Sequence, residues 1–299
     1  MAAHRKAYVE ITNRCNLSCA FCPGTDRAAG CLDETQFTFL VRRLTPFAEY
    51  LYYHLMGEPT AHPLLPRFLE IAAGMGMKSV ITTNGTLLPS RGDAILQAKP
   101  YKVSISLHAF EANETDLSFE SYLDGCFFFA KKASEKGVIT ALRLWNLDGR
   151  AEGALHEKNE LILDKMKAYF PSEWQKIRSG QRLCERVFLE WGEKFDWPDL
   201  QSEIRSESGF CYALRDQIGV LCDGTVVPCC LDRNGDLALG NLFDQPLEEI
   251  LSSARAKAIH DGFTAHRCAE NLCQRCMRAG YYRKQPQSPE QPESCKQPE

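Results

Sequence analysis

Cysteine constrains this chain more than any other feature. Fourteen of its 299 residues are cysteine, and most of them fall into two groups. Cys15, Cys19 and Cys22 stand within eight residues near the start. Cys211, Cys222, Cys229, Cys230, Cys268, Cys273 and Cys276 crowd the last third. Only Cys31, Cys126 and Cys184 lie between the groups, and Cys295 follows them. The first residues, Met1-Ala-Ala-His-Arg-Lys6, lead into the strand-like Tyr8-Val9-Glu10-Ile11 without a signal-peptide core. The expected location is therefore cytoplasmic, where a reducing environment disfavours structural disulfides. Clustered thiols in such a protein point to metal or redox chemistry.

The remaining composition narrows the classes further. A chain 44% hydrophobic and 25% charged is globular rather than disordered or fibrous. Thirty-five Lys and Arg against 39 Asp and Glu leave a net charge of -4, so nothing advertises phosphate-backbone binding and nucleic acid is disfavoured as a partner. No apolar run reaches the roughly 18 residues of a membrane span.

The first two-thirds alternates strand-like and helix-like stretches. Candidate strands are Ala7–Ile11, Tyr50–Leu55, Ser79–Thr83, Lys102–Leu107, Thr140–Trp145 and Val187–Trp191. They are short and rich in β-branched and aromatic residues, with amphipathic segments such as Leu64–Met75 and Tyr122–Lys136 between them. This pattern predicts an α/β fold with a parallel sheet, and six units suggest an open, partial (β/α)6 barrel with ligands at the carboxyl ends of its strands. The texture changes near Ser206. Ile218–Val227 reads as a hairpin turning at Asp223-Gly224, and a helix is expected at about Leu247–His260. The tail from Gln285 is rich in Pro, Gln, Ser and Glu and reads as disordered. The expected domains are therefore residues 1–205, a small cysteine-rich unit at 206–284, and a tail at 285–299.

Cys15-x3-Cys19-x2-Cys22 directly follows the first strand. Three thiolates in one loop can fill three corners of a metal centre. A structural zinc site would need a fourth ligand, with Cys31 the nearest spare thiol. A [4Fe–4S] cubane with three thiolates would keep one iron open for a non-protein ligand. Downstream, Cys211-x12-Gly224-x4-Cys229 followed by Cys273-x2-Cys276 can make a four-thiolate site, which suits zinc or iron–sulfur equally well. Cys229 and Cys230 are adjacent on an extended segment, so they should point opposite ways and only one should ligate. Cys230 and Cys268 are possible substitutes in the ligand set. Cys126, Cys184 and Cys222 read as buried small hydrophobes.

The C-x3-C-x2-C loop after the first strand, with the aromatic Phe21 before its last cysteine, resembles the signature of radical S-adenosylmethionine (SAM) enzymes. Gly57-Glu58-Pro59 after the second strand resembles that family's "GGE-like" motif, with Met56 in place of its first glycine. Thr83-Asn84-Gly85 resembles its TNG turn. The resemblance implies a [4Fe–4S] cluster on Cys15, Cys19 and Cys22 whose fourth iron is chelated by SAM. Reductive cleavage then yields a 5′-deoxyadenosyl radical that abstracts a substrate hydrogen atom. It further implies cofactor contacts from Phe21, Gly57, Glu58 and Ser106, with Ser104 on the same strand face. Arg143 is read as a partner of the methionine carboxylate, of a substrate acid, or of a structural salt bridge.

The C-terminal pattern, including Val226-Val-Pro-Cys-Cys230 and Gly240-Asn241-Leu242, is similar to the SPASM/twitch extension of the same family. Few cysteines follow the C-x2-C pair, so a single auxiliary [4Fe–4S] cluster is expected on Cys211, Cys229, Cys273 and Cys276. Such an enzyme needs an electron donor of the flavodoxin or ferredoxin type. His54, His62 and His108 lie near the expected mouth of the barrel. His54 and His108 are the acid–base candidates, provided their pKa values stay near neutral.

The expected reaction is hydrogen-atom abstraction followed by net oxidation of a small-molecule or peptide substrate. A peptide-modifying maturase is the first alternative. Only six residues precede the first strand, so its peptide would be recognised by the barrel itself or by a separate protein. A zinc-binding interaction module is the alternative of another class.

Overall fold

A computed structural model describes residues 5–111, 113, 117–147 and 157–281. The expected disordered tail and Cys295 lie outside the described residues. Eleven strands form one sheet: β1 (Lys6–Val9), β2 (Tyr50–Tyr52), β3 (Lys78–Thr83), β4 (Lys102–Ser106), β5 (Ile139–Leu147), β6 (Gln175–Ile177), β7 (Gly180–Cys184), β8 (Val187–Glu193), β9 (Gln217–Val220), β10 (Thr225–Val227) and β11 (Gly240–Asn241). Their order is β11-β10-β9-β1-β2-β3-β4-β5-β8-β7-β6. From β9 through β8 every neighbour is parallel, and antiparallel strands close both flanks.

The six expected barrel strands correspond to β1–β5 and β8. The expected hairpin is β9–β10, but β9 also pairs in parallel with β1, so the C-terminal unit extends the barrel sheet. The β6–β7 hairpin is an addition. Its strand Gln175-Lys-Ile, exposed at Gln175 and Lys176, and a turn at Arg178-Ser179 carry little hydrophobic alternation.

Helices cover the outer face of the sheet. Glu34–Leu44 begins with a capping box, in which the Asp33 carboxylate accepts from Gln36 N and the Gln36 side chain accepts from Asp33 N. It buries Phe37 against Phe68 of the helix Leu65–Gly74, with ring centroids 4.1 Å apart. Leu51, Tyr53, Ile81, Val103, Ile105, Leu142 and Leu189 form the sheet's contribution to this core. Alternation sends their neighbours to the inner face. The expected helix at about Leu247–His260 is instead two, Leu247–Ser252 and Ala254–Thr264. Ser253 breaks it, because its extended backbone ends the first helix while its hydroxyl accepts from Ala256 N to cap the second.

Candidate functional site

The segment Thr12–Cys31 leaves the end of β1 and returns to it. An isolated bridge between Thr12 and Cys31 closes its base. Cys15, Cys19 and Cys22 lie on this loop as free thiols, Cys15 exposed and the others half-buried. Three turns at the carboxyl ends of β2, β3 and β4 hold the loop. After β2, Glu58 N donates to Arg14 O. After β3, the Asn84 amide donates to Asn16 Oδ1, and Asn16 donates to Thr86 Oγ1. After β4, Asn113 accepts from Ser18 N and donates to Cys19 Sγ at 3.1 Å. Asn113 was not singled out from sequence, because its role depends on a contact 94 residues away.

Gly57 shows why the motif after β2 needs its glycine. Its φ is +78°, and a Cβ there would sit 2.3 Å from Thr12 O and 2.9 Å from Arg14 O. Gly57→Ala should cost about 2 kcal/mol or more from left-handed strain alone. It should also push the start of the loop outward. Thermal unfolding and iron uptake check this together: a stable variant with unchanged iron content would contradict it.

Glu58 is buried, and its carboxylate accepts from Thr60 N, Thr60 Oγ1 and Asn84 N at 2.9, 2.6 and 2.7 Å. Burial raises its pKa against the lowering effect of those hydrogen bonds. It caps the 3-10 turn Pro59–Ala61 and also hydrogen-bonds the Thr83 side chain, so it is a structural tie between two motifs. Phe21 is exposed, its ring 5.4 Å from that of His108.

The inner face of the sheet carries a polar cluster. Tyr8 packs on Tyr52 with centroids 4.6 Å apart, and His54 meets Tyr8 edge-on at 5.5 Å. Arg143 pairs with Glu190 at 3.2 Å, and Lys102 pairs with the same carboxylate at 2.7 Å. Of the three readings of Arg143, the structural salt bridge is therefore the one occupied by protein groups. Its guanidinium also reaches Thr82 Oγ1 at 3.5 Å and lies over Trp145. Lys102 and Glu190 escaped sequence analysis because charges on short strands read as ordinary surface. Ser106 lies on the same strand face, beside Arg143 in register. Ser104 Oγ and His54 Nδ1 are buried with no hydrogen-bond partner. Orphaned polar atoms beneath the cysteine loop fit a polar guest better than a packed core.

The histidines depart from the acid–base expectation. Burial lowers the pKa of His54 to about 3 and that of His108 to about 4; the hydrogen bond to the Arg143 carbonyl opposes this at His108, and the Arg143 charge adds to the lowering at both. Both are neutral imidazoles rather than groups poised near pH 7. His108 Nδ1 faces Trp145 N and Arg143 O. His62 is a satisfied structural residue, bonded to Leu32 O and Leu64 N and packed on Phe68.

The second thiol group is also brought together. Cys211, Cys229, Cys273 and Cys276 pack around one small cluster with Cys268, Ile259 and Phe263. Cys230 points the other way, to Leu55 and Tyr8, and its thiol hydrogen-bonds Tyr8. Among the described residues no three His, Cys, Asp or Glu side chains are placed to hold a single metal ion. A closed zinc site needs four sulfurs about 2.3 Å from one point. An all-thiol donor set of this kind suits zinc or an iron–sulfur cluster. Two cysteines differ from expectation. Cys184 lies half-exposed on β7 near the sheet flank, and Cys222 sits against Arg27 and Glu10 rather than in an apolar pocket. Cys126 is fully buried as expected.

Comparison with known proteins decides the family. Residues 9–149 match the radical SAM superfamily, and residues 211–277 match SPASM, an iron-sulfur cluster-binding domain. The chain belongs to the radical SAM superfamily. As a radical SAM protein with a SPASM domain it uses a [4Fe–4S] cluster and SAM, together with auxiliary iron–sulfur chemistry. It is 26% identical over 271 residues to AlbA, the antilisterial bacteriocin subtilosin biosynthesis protein of Bacillus subtilis (strain 168), covering 83% of this chain. The match spans only 59% of AlbA. The fold is similar to BtrN in complex with AdoMet and 2-DOIA, with a TM-score of 0.61, 17% identity and coverage of 92% of this chain and 94% of that one. It is also similar to Streptococcus suis SuiB bound to precursor peptide SuiA, with a TM-score of 0.58, 14% identity and coverage of 91% and 71%. No described helix is long and apolar enough to cross a membrane.

Proposed function

We propose that this radical SAM protein oxidises a substrate held in its barrel by two electrons. Cys15, Cys19 and Cys22 hold the SAM-binding cluster, and Cys211, Cys229, Cys273 and Cys276 hold one auxiliary [4Fe–4S] cluster. When bound and reduced by a flavodoxin or ferredoxin-type donor, the first supplies a 5′-deoxyadenosyl radical that takes a hydrogen atom, and the second supplies an electron acceptor. A proton released to water completes the loss of two hydrogens from the substrate.

The observation that carries this reading is the inner polar face. It is built on the strands after which the cysteine loop and its three holding turns follow, and it reaches, through Tyr8, the thiol of Cys230 next to Cys229. A substrate there would lie between the two thiol groups. Tyr8, Tyr52, Ser104 and His54 offer it neutral hydrogen-bonding atoms. Phe21, Ser106 and Glu58 line the SAM side. The neutral His54 orients the substrate through its free Nδ1.

A peptide side chain is the substrate class we favour. The match to AlbA runs over most of this chain, and AlbA is a bacteriocin biosynthesis protein. A small-molecule alcohol or amine is the second reading, supported by the nearly full-length fold match to BtrN with its bound 2-DOIA.

Anaerobic incubation with SAM, reductant and deuterated candidates of both classes tests the proposal. Deuterium should move into 5′-deoxyadenosine and the product should be two hydrogens lighter. A product of unchanged oxidation state would contradict the oxidation. His54→Phe should raise the substrate KM by roughly tenfold, the worth of one buried hydrogen bond, and leave both clusters intact. An unchanged KM would remove His54 from the site.

A further inference from the structure

The barrel turns hold only the first half of the cysteine loop, Thr12–Cys19. Its second half, Gly24–Ala28, is held mainly by the C-terminal unit. Arg233, nearly buried, donates to Gly24 O at 3.1 Å, two residues after Cys22. Thr25 Oγ1 donates to Arg233 O at 3.0 Å, and Arg27 Nε donates to the same carbonyl at 2.9 Å. Asp26 N donates to Asn234 Oδ1, and the Asn234 amide donates back to Asp26 Oδ2 at 2.9 Å. Arg27 also reaches the fully buried Glu10, with its Nη2 2.7 Å from both carboxylate oxygens. Glu10 in turn accepts from Met56 N, beside the Gly57-Glu58 motif, and from Cys222 N.

These contacts form a short chain between the two thiol groups. It runs from Cys22 through Gly24 to Arg233, and along four residues of backbone to Cys229. Within that last stretch Asp232 N donates to Cys229 O at 3.4 Å, and the buried Asp232 carboxylate anchors the turn that follows, accepting from Asp236 N and Leu237 N at 2.9 and 2.8 Å. Charged groups in partly buried hydrogen bonds make stiff ties, because breaking one leaves a charge poorly solvated.

We infer that Arg27 and Arg233 are positioning residues that stitch the Cys15–Cys22 loop to the Cys229 loop, so that the C-terminal unit sets the order of the SAM-cluster loop and its placement relative to the second thiol group. The inference rests on the cluster reading of the two thiol groups. It assigns the C-terminal unit a task beyond holding its own cluster, since the loop of the first cluster is incomplete without it. Asp199, which pairs with the outer side of Arg233 at 2.8 Å, is not part of the stitch.

The test compares the anoxically reconstituted full chain with Arg233→Met, with the double variant Glu10→Gln/Arg27→Met, and with Asp199→Asn. The double variant removes the Arg27 arm of the stitch without leaving a lone buried carboxylate. Backbone amides of residues 15–30 should exchange with deuterium roughly tenfold to hundredfold faster in Arg233→Met and in the double variant, as loss of charged hydrogen bonds predicts. Iron should leave the first cluster to a chelator faster by a similar factor, and the auxiliary cluster should keep its iron. The magnetic coupling between the two reduced clusters should change in the same variants. Asp199→Asn should behave as the wild type. Wild-type exchange, chelation and coupling in both stitch variants would overturn the inference. Failure of the wild type to assemble two clusters would overturn the functional reading instead. In that case the exchange rates of residues 15–30 in the metal-free chains still decide whether the stitch orders the loop. Should Arg233→Met not fold, Asn234→Ala keeps the arginine, removes the Asp26 ties, and should speed exchange of the same amides.

Discussion

Replacing Cys15, Cys19 and Cys22 together by alanine should reduce SAM cleavage to background and lower the iron content from roughly eight to roughly four atoms per chain, one cubane remaining. The expectation follows from the geometry of the loop. Its three thiols are supplied by one segment that turns back on itself, with Cys22 N bonded to Cys19 O. Among the described residues Cys31 is the next thiol in sequence; its backbone forms the bridge with Thr12 at the base of the loop, and its side chain is free and exposed. Of the barrel ties only that from Asn113 to Cys19 Sγ is lost; those of Glu58 to Arg14, Asn84 to Asn16 and Asn113 to Ser18 N are kept, so the fold should persist and the loss should be specific. Formation of 5′-deoxyadenosine by the triple variant, measured by chromatography after anaerobic incubation with reductant, would show that cleavage is initiated elsewhere.

The second large effect separates two adjacent cysteines. Cys229→Ala should lose the auxiliary cluster, roughly half of the iron, and substrate oxidation with it, while uncoupled SAM cleavage continues. Cys230→Ala should keep all of the iron. The physical basis is the opposite direction of the two side chains, Cys229 toward Cys211, Cys273 and Cys276, and Cys230 toward Tyr8 and Leu55. Burial and the neighbouring thiols push the Cys229 thiol well above its usual pKa. An apolar setting that resists a lone thiolate favours a site in which a metal neutralises it. Iron counts and Mössbauer spectra of the two variants give the comparison, and equal loss in both would mean that the ligand set is wrongly drawn.

Much of the fold was legible because parallel strands buried on both faces announce themselves by composition. All six barrel strands lie where β-branched and aromatic runs placed them. The cysteine loop was legible for another reason: three ligands from one segment are a local pattern. What sequence could not show was long-range partnership. Asn113 reaches Cys19, Lys102 and Arg143 share Glu190, and Arg233 reaches Gly24, each across many residues. Asn113, Lys102, Glu190 and Arg233 each read alone as a solvated surface group, and Arg143 reads as the partner of a carboxylate that the sequence does not specify. The lowered histidine pKa values are not legible in the sequence for the same reason, since burial beside Arg143 is a property of the assembled inner face. Ser253 was a missed local signal: a serine before Ala-Arg-Ala is a good helix start inside what looked like one helix.

The most direct measurement is the electron paramagnetic resonance spectrum of the anoxically reconstituted, singly reduced full chain, recorded with and without SAM labelled in its amino and carboxylate groups. SAM should shift the signal of one cluster, and the labels should couple to it, because one iron of the Cys15–Cys19–Cys22 centre is open to that ligand. A spectrum indifferent to SAM, or a colourless protein that takes up zinc and no sulfide, would contradict the account.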